Sequence, residues 1–347
     1  MVKKFILSRP KIRALKGADK LWPLKYSASE TSGFSPRSFI IGIDLGATNL
    51  KIALLDLKYN IRDKRILSTK RFVAKESLIS VLIDSIYKII RDNKLNRANI
   101  LGIGLGLPGP IDIKQGIVHF FPNIPGWKEV NLRSILGKRL RLPIFLDNDA
   151  NLMCLAEYRL GRARGLSNVV CLTLGTGVGG GIIIEGALYR GSTFSSGEIG
   201  HIPLNERGPR CNCGGIACLE AYIGSHRILK EAKRLFRRDV ALEDLSQLAR
   251  QGNRKALRLW SNVGRRLGVA LAGIVNFLNP DAIVIGGGVA GAGKILFDRV
   301  RETILKRAMS VPAKQVKVFK AKLGNDAGLI GAAILVKESL ELKFNDK

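Results

Sequence analysis

The chain has 347 residues, 46% hydrophobic and 24% charged, which excludes a disordered polymer and suits two domains that each bury a core. Its net charge of +29 is partly concentrated in residues 1–38, where nine Lys/Arg face two acids; the remainder is spread without a block of like charge, as on a solvated basic surface. No run is long and apolar enough for a bilayer: the stretch from Val169 to Ile184 is 16 residues and broken by glycine.

The N-terminus, MVKKFILSRPKIR, starts basic but lacks the apolar core of a signal peptide, so a cytoplasmic location is expected. Residues 1–38 mix Lys, Ser, Pro and Gly without a sustained period and read as an extension, partly disordered or docked as an arm. Regular structure begins with FIIGIDLG. KIALLDL follows, and the pair reads as a hairpin with Gly46, Ala47, Thr48 and Asn49 in its turn. Residues 76–93 place apolar groups at 78, 82, 86, 89 and 90, one face of a helix. NILGIGLGLPG (99–109) is a buried strand ending in a Gly/Pro loop. RLPIFLDND (141–149) is another strand, and ANLMCLAEYRLG (150–161) a helix that Gly161 can end.

The pattern then restarts. NVVCLTLGTGVGGGIIIEGALY (168–189) is strand, glycine turn, strand. Residues 255–278 form a long helix that stops before Pro280. DAIVIGGGVAG (281–291) is a strand running into a glycine loop, and 326–340 is the last helix. Two α/β halves, each opening on a hairpin with glycine at its turn, imply duplicated domains facing a cleft.

Three features carry chemistry. The first hairpin ends its strand in Asp44 and then offers small residues, so backbone N–H groups can approach a phosphate while the carboxylate holds Mg2+; taken alone it is equally an ordinary hairpin. Gly175, Thr176 and Gly177 repeat the device, and Gly286, Gly287 and Gly288 supply a third loop. Three of the five cysteines lie within residues 211–218, and His201 stands ten positions before the first. Cysteines clustered this way in a cytoplasmic protein indicate metal rather than disulfides. In DND (147–149), Asp149 reads equally as a helix N-cap and as a catalytic carboxylate, and Asn148 shares the ambiguity.

The Asp-x-Gly-x-Thr hairpin, the Gly-Thr-Gly hairpin and the later glycine loop resemble the phosphate-1, phosphate-2 and adenosine motifs of the actin/hexokinase/Hsp70 ATPase superfamily. Within it the chain resembles the ROK-family sugar kinases, a group that includes bacterial glucokinases. The likeness runs from about residue 39 to 340 and includes LPGPID (107–112), PNIPGW (122–127), LDNDAN (146–151), SGEIGH (196–201) and CNCGGIACLE (211–220).

The resemblance implies two actin-like (ribonuclease H-like) α/β domains flanking a cleft: 39–147, with helix 326–340 packing back on it, and 148–325, with a zinc knuckle at 201–218. It implies one structural Zn2+ on His201, Cys211, Cys213 and Cys218, a donor set suited to a closed tetrahedral site. ATP and Mg2+ would be held at Asp44, Gly46, Thr48, Asn49, Gly175, Thr176, Gly177 and Gly286 to Gly288. Asn123, Asn148, Asp149, Glu198, His201 and Glu220 would contact the sugar, and Asp149 would be the general base. The expected reaction is glucose phosphorylation by ATP, with N-acetylhexosamines and other hexoses as alternative acceptors. A sugar-sensing transcriptional regulator of the same family is the competing reading, although residues 1–38 are short for a DNA-binding domain plus linker; an actin-like filament would need neither knuckle nor sugar acids.

A homodimer or higher homo-oligomer is the default, with no specific nucleic acid or membrane as partner. Ala47 stands where many relatives have glycine. Cys154 and Cys171 read as core, Trp127 as a packed loop residue, and His119 and His226 have no assigned role.

Overall fold

The computed structural model describes residues 37–345, apart from Ala47, Lys70, Arg71, Val73, Pro122, Asn123 and Pro125. The extension through residue 36 therefore lies outside the described residues, as do Ala47 of the first turn and the candidate sugar ligand Asn123.

The first half opens with β1 (Phe39–Leu45), β2 (Asn49–Asp56) and β3 (Ile61–Ser68), followed by helix α1 (Lys75–Asp92) and strand β4 (Ile100–Leu107). The buried face of α1 is Leu78, Leu82, Ile86, Ile89 and Ile90, the stripe that the spacing implies. A small sheet, β5 (Ile111–Asp112), β6 (Ile117–Phe120) and β7 (Lys128–Asn131), leads into α2 (Leu132–Leu140), β8 (Ile144–Asn148) and α3 (Asp149–Arg159). Trp127 is packed edge-on against Phe121, with ring centroids 4.3 Å apart.

The second half repeats the opening with β9 (Val169–Leu174), β10 (Val178–Ile184) and β11 (Ala187–Tyr189). Helices α4 (Glu220–Ile223), α5 (Ser225–Phe236), α6 (Leu242–Arg250) and α7 (Arg254–Leu278) follow. The chain closes with β12 (Ala282–Gly286), α8 (Lys294–Arg307), α9 (Ser310–Gln315), β13 (Lys317–Lys320) and α10 (Ala327–Asn345).

The two large sheets share one topology. Their orders are β3-β2-β1-β4-β8 and β11-β10-β9-β12-β13. In each, the central strand runs antiparallel to its hairpin partner and parallel to the next two. The duplication inferred from the twin hairpins therefore extends to five strands in each half.

Side-chain parity decides what each face covers, because successive residues of a strand point to opposite sides. In the first sheet Ile41 and Ile43 face α1 and α2, while Ile40, Ala53 and Leu55 face Leu329, Ala333 and Val336 of α10. In the second, Val170, Leu172 and Ile283 pack on Trp260 and Leu267 of α7, while Val169, Cys171 and Val284 pack on Leu152 and Met153 of α3 and Ile334 of α10. Helices α3 and α10 thus lie between the two sheets. They touch so closely that a Cβ at Gly331 would sit 1.9 Å from the Leu152 carbonyl oxygen. Both Cys154 and Cys171 are core residues. Among the described residues, no helix is long and apolar enough to cross a membrane.

Candidate active site

Strands β1, β4 and β8 are parallel, so their C-terminal ends share one edge of the first sheet. Asp44 stands at the end of β1 and Asn148 at the end of β8, and α3 begins on the next residue. The crevice beyond the carboxyl ends of such strands is where open α/β sheets bind ligands.

The structure decides which residue caps α3. Asn148 is the N-cap of α3: its side-chain oxygen accepts from Ala150 N at 2.9 Å and Asn151 N at 3.4 Å. Asp149 is the first helical residue, and its Oδ1 takes the neighbouring Ala150 N–H, at 2.8 Å. Its carboxyl is pushed up to about 7, first by burial, then by the charge of Asp44, with Glu198 adding. The group lies deep among protein atoms yet keeps an accessible edge. It is ionisable near neutrality and open to a hydroxyl donor, which is what a general base needs.

Asp147 serves the site differently. It is buried and accepts from Asn148 N, from Asn151 Nδ2 at 2.9 Å, and from Nε of Arg190 at 2.8 Å and Nη2 at 2.7 Å. That ion pair ties the loop after β11 to the end of β8, where Asp149 is mounted. The separation of 43 positions between Asp147 and Arg190 hides the pairing from any local reading of the sequence.

The glycine loops present bare backbone. A Cβ at Gly46 would find only the Asn49 carbonyl oxygen, 3.6 Å away, and one at Gly175 would enter open space. Lys51, opposite Asp44 across the hairpin, donates to Asp44 Oδ2 at 2.9 Å. The second turn is braced from α4 and α5. Ser225 N donates to Gly175 O at 2.9 Å, and Nδ1 of His226 lies 3.1 Å from Thr176 O, within donating distance. His226, to which the sequence assigned nothing, thus holds the turn. Gly287 has a positive φ of 86°, and a Cβ there would meet the Leu174 carbonyl oxygen at 2.3 Å. The third glycine loop is therefore seated directly on the end of β9.

The Cys/His quartet implied by the family resemblance comes together. The ligand atoms of His201, Cys211, Cys213 and Cys218 all lie within 4.8 Å of one another. Cys213 and Cys218 sulfurs are 3.8 Å apart, and His201 Nδ1 is 3.7 Å from Cys211 Sγ. Two sulfurs about 2.3 Å from one zinc at a tetrahedral angle stand roughly 3.8 Å apart, so the quartet fits that ion. Gly214 turns the knuckle with φ 92°. The N–H of Gly215 donates to Cys213 Sγ at 3.4 Å and holds that thiol low.

The quartet also connects with the rest of the site. Nε2 of His201 faces Glu198, 3.8 Å away. Glu220 accepts from Val178 N at 2.9 Å with one oxygen and from the Cys211 thiol at 3.7 Å with the other, bridging the knuckle and the second glycine turn.

The sequence profile of the ROK family matches residues 40–339. The glucokinase of Thermotoga maritima is 35% identical over 319 residues, 88% of this chain and 99% of that protein. A xylose repressor of Caldicellulosiruptor bescii is 32% identical, over 86% of this chain and 77% of the repressor. The crystal structure of a ROK family glucokinase from Streptomyces griseus in complex with glucose and AMPPNP superposes with a TM-score of 0.76 at 29% identity, covering 87% of this chain and all of that one.

Proposed function

The chain belongs to the ROK family, and from that premise we propose that it is an ATP-dependent sugar kinase, with glucose as the acceptor favoured by its glucokinase relatives. The observation that carries this reading is Asp149: released from capping by Asn148, facing Asp44 of the first glycine turn, and ionising near pH 7. We take the lobes to be 39–147, with 326–340, and 148–325; the twin five-stranded sheets support an actin-like arrangement.

Backbone N–H groups at Thr48 and Asn49 and at Thr176 and Gly177 would cradle the phosphates of ATP; Gly46 and Gly175, whose own N–H groups close their turns, would let the phosphates come near, and Gly286 to Gly288 would lie against the nucleoside. Asp44 would hold Mg2+, which when bound neutralises charge on the transferring phosphoryl group. Asp149 would accept the proton of the attacking sugar hydroxyl as the new P–O bond forms and the bond from the γ-phosphorus to the departing ADP breaks. Asn148 keeps its amide NH2 without a partner among the described residues, and with Glu198, His201 and Glu220 it would orient the sugar. His201, Cys211, Cys213 and Cys218 would hold Zn2+, which fixes the loop whose flanks carry those acids. Because His201 turns Nδ1 to the cysteines, its Nε2 is left for the sugar side.

The test is ADP release from Mg-ATP across a panel of hexoses and N-acetylhexosamines. A signal with glucose supports the reading as stated. One confined to an acetylated sugar changes the acceptor and keeps the mechanism. The xylose repressors among the relatives favour a second reading, a sugar-sensing regulator. Silence with every sugar, accompanied by sequence-specific DNA binding, would establish that reading instead.

A further inference from the structure

Two segments from opposite halves of the chain meet beside the candidate site, at Lys114 and Phe194. Lys114 lies in the turn between β5 and β6, which follows β4 of the first sheet, and Phe194 lies in the loop after β11 of the second. The Lys114 ammonium stands over the Phe194 ring, 5.4 Å from its centroid, within the range of a cation–π contact.

Both partners are held in place. The N–H groups of Lys114 and Gln115 each donate to Asp112 Oδ1 at 2.8 Å, and the guanidinium of Arg133 on α2 donates to the carbonyls of Ile113 and Lys114. On the other side, Ser196 closes the loop on itself: its N–H donates to Arg190 O at 3.1 Å and its hydroxyl to Tyr189 O. The first residue of that loop, Arg190, is the one paired with buried Asp147. Phe194 is half-buried and has φ of 60°, a left-handed conformation that is costly for a bulky side chain and persists only where the surroundings enforce it.

We propose that the Phe194 ring and the Lys114 ammonium clasp the two halves of the chain over the acceptor crevice, and so position Glu198 relative to Asn148 and Asp149 for a sugar. This rests on the sugar-kinase reading above and adds a pair of positioning residues to it.

The path of the loop gives the clasp its leverage. The loop is pinned through Arg190 to Asp147, next to Asn148 and Asp149, and it returns at Ser196, two residues before Glu198. Glu198 in turn lies near enough to Asp149 for its charge to push that carboxyl up. A contact at the tip of this loop therefore acts on residues at both of its ends. The strain points the same way. Glycine would take the backbone of position 194 at no steric cost, so the loop itself gains nothing from phenylalanine there, and the value of the ring lies in what it touches. The strength also fits. A cation–π pair at an exposed site shifts an equilibrium about two- to fivefold, enough to favour one spacing of the halves and too little to lock them against entry and release of a ligand.

Isothermal titration of the full chain with glucose, or with the sugar that the panel above selects, tests the proposal, with Mg-AMPPNP titrated in parallel. Lys114→Met and Phe194→Gly should each weaken sugar binding about two- to fivefold. The double variant should be no weaker than the poorer single one, because both changes remove the same contact. Lys114→Arg should match wild type, since a guanidinium takes the same place over a ring. Mg-AMPPNP affinity should not change, and Phe194→Gly should melt no lower than wild type. Unchanged sugar affinity in both single variants overturns the inference, and so does additive loss in the double variant. Sugar affinity, nucleotide affinity and melting point falling together would overturn it too, by making the pair a general structural prop. If the wild-type chain binds no sugar of the panel, the kinase reading falls and takes this inference with it; wild-type binding that the variants leave unchanged removes this inference alone.

Discussion

Replacing Asp149 by Asn should remove most phosphoryl transfer and, at alkaline pH, make the protein more stable. The carboxyl sits at about 7 in the folded chain against an ordinary 3.8, through burial first and then the charges of Asp44 and Glu198. A folded-state value above the unfolded one means that the native protein binds this proton more tightly. The stability it confers is complete below about 3.8 and is lost as pH rises through about 7. At pH 8 the ionised form therefore carries a penalty of up to roughly 4 kcal/mol, an upper bound because water still reaches one edge of the group. Asparagine has no charge to desolvate and can accept the same N–H from Ala150. In nucleotide-free, Mg2+-free protein the variant should melt higher than wild type by roughly 5 °C at pH 8. The free-energy gap should shrink to less than half at pH 5 and close toward pH 4. Calorimetry across that range reads the gap, and turnover should fall about 10²- to 10⁴-fold. A variant that melts no higher than wild type at pH 8, or a gap that ignores pH, would refute the claim that the site is desolvated. The same ionisation predicts that kcat/KM for the sugar declines as pH drops below about 7, because the base becomes protonated.

Other perturbations probe the supports of the site. Arg190→Met strands the buried Asp147 carboxylate and should cost about 3–5 kcal/mol in denaturant unfolding; adding Asp147→Asn should restore much of the loss, and no recovery would show that the charge was not the cause. Cys213→Ser should leave metal analysis below one zinc per chain and weaken sugar binding, whereas full zinc content would dissociate this cysteine from the metal. Gly287→Ala forces a side chain onto the Leu174 carbonyl at a positive φ and should destabilise by about 1–3 kcal/mol or more with loss of nucleotide affinity; a neutral result in both readouts would argue that the loop relaxes freely.

The sequence by itself determined the elements whose cause is local. The stripe at 78, 82, 86, 89 and 90 makes one helical face whatever surrounds it, and that face is the buried one. Glycine turns after apolar strands set the two hairpins, and the histidine and three cysteines within 18 residues specified a metal-type cluster before any fold was known. Elements with weaker local signals were not legible. In β3, IRDKRILS spreads its charges over both sides of an edge strand, so no alternation marks it, and α2, α5, α6 and α8 were likewise missed.

Only the tertiary structure decided how the polar groups pair and titrate. Asn148, rather than Asp149, caps α3, a choice between adjacent residues that composition cannot make. Lys51 faces Asp44 because β1 and β2 pair in one register, and Arg190 reaches Asp147 because the end of β11 folds over the end of β8. The buried Glu157 accepts from the N–H groups of Lys322 and Leu323, 165 and 166 residues away, and so secures the loop before α10. Periodicity and turn chemistry act over a few residues. Coulomb interactions and desolvation depend instead on what lies nearby in space, and for these residues the neighbours come from distant parts of the chain.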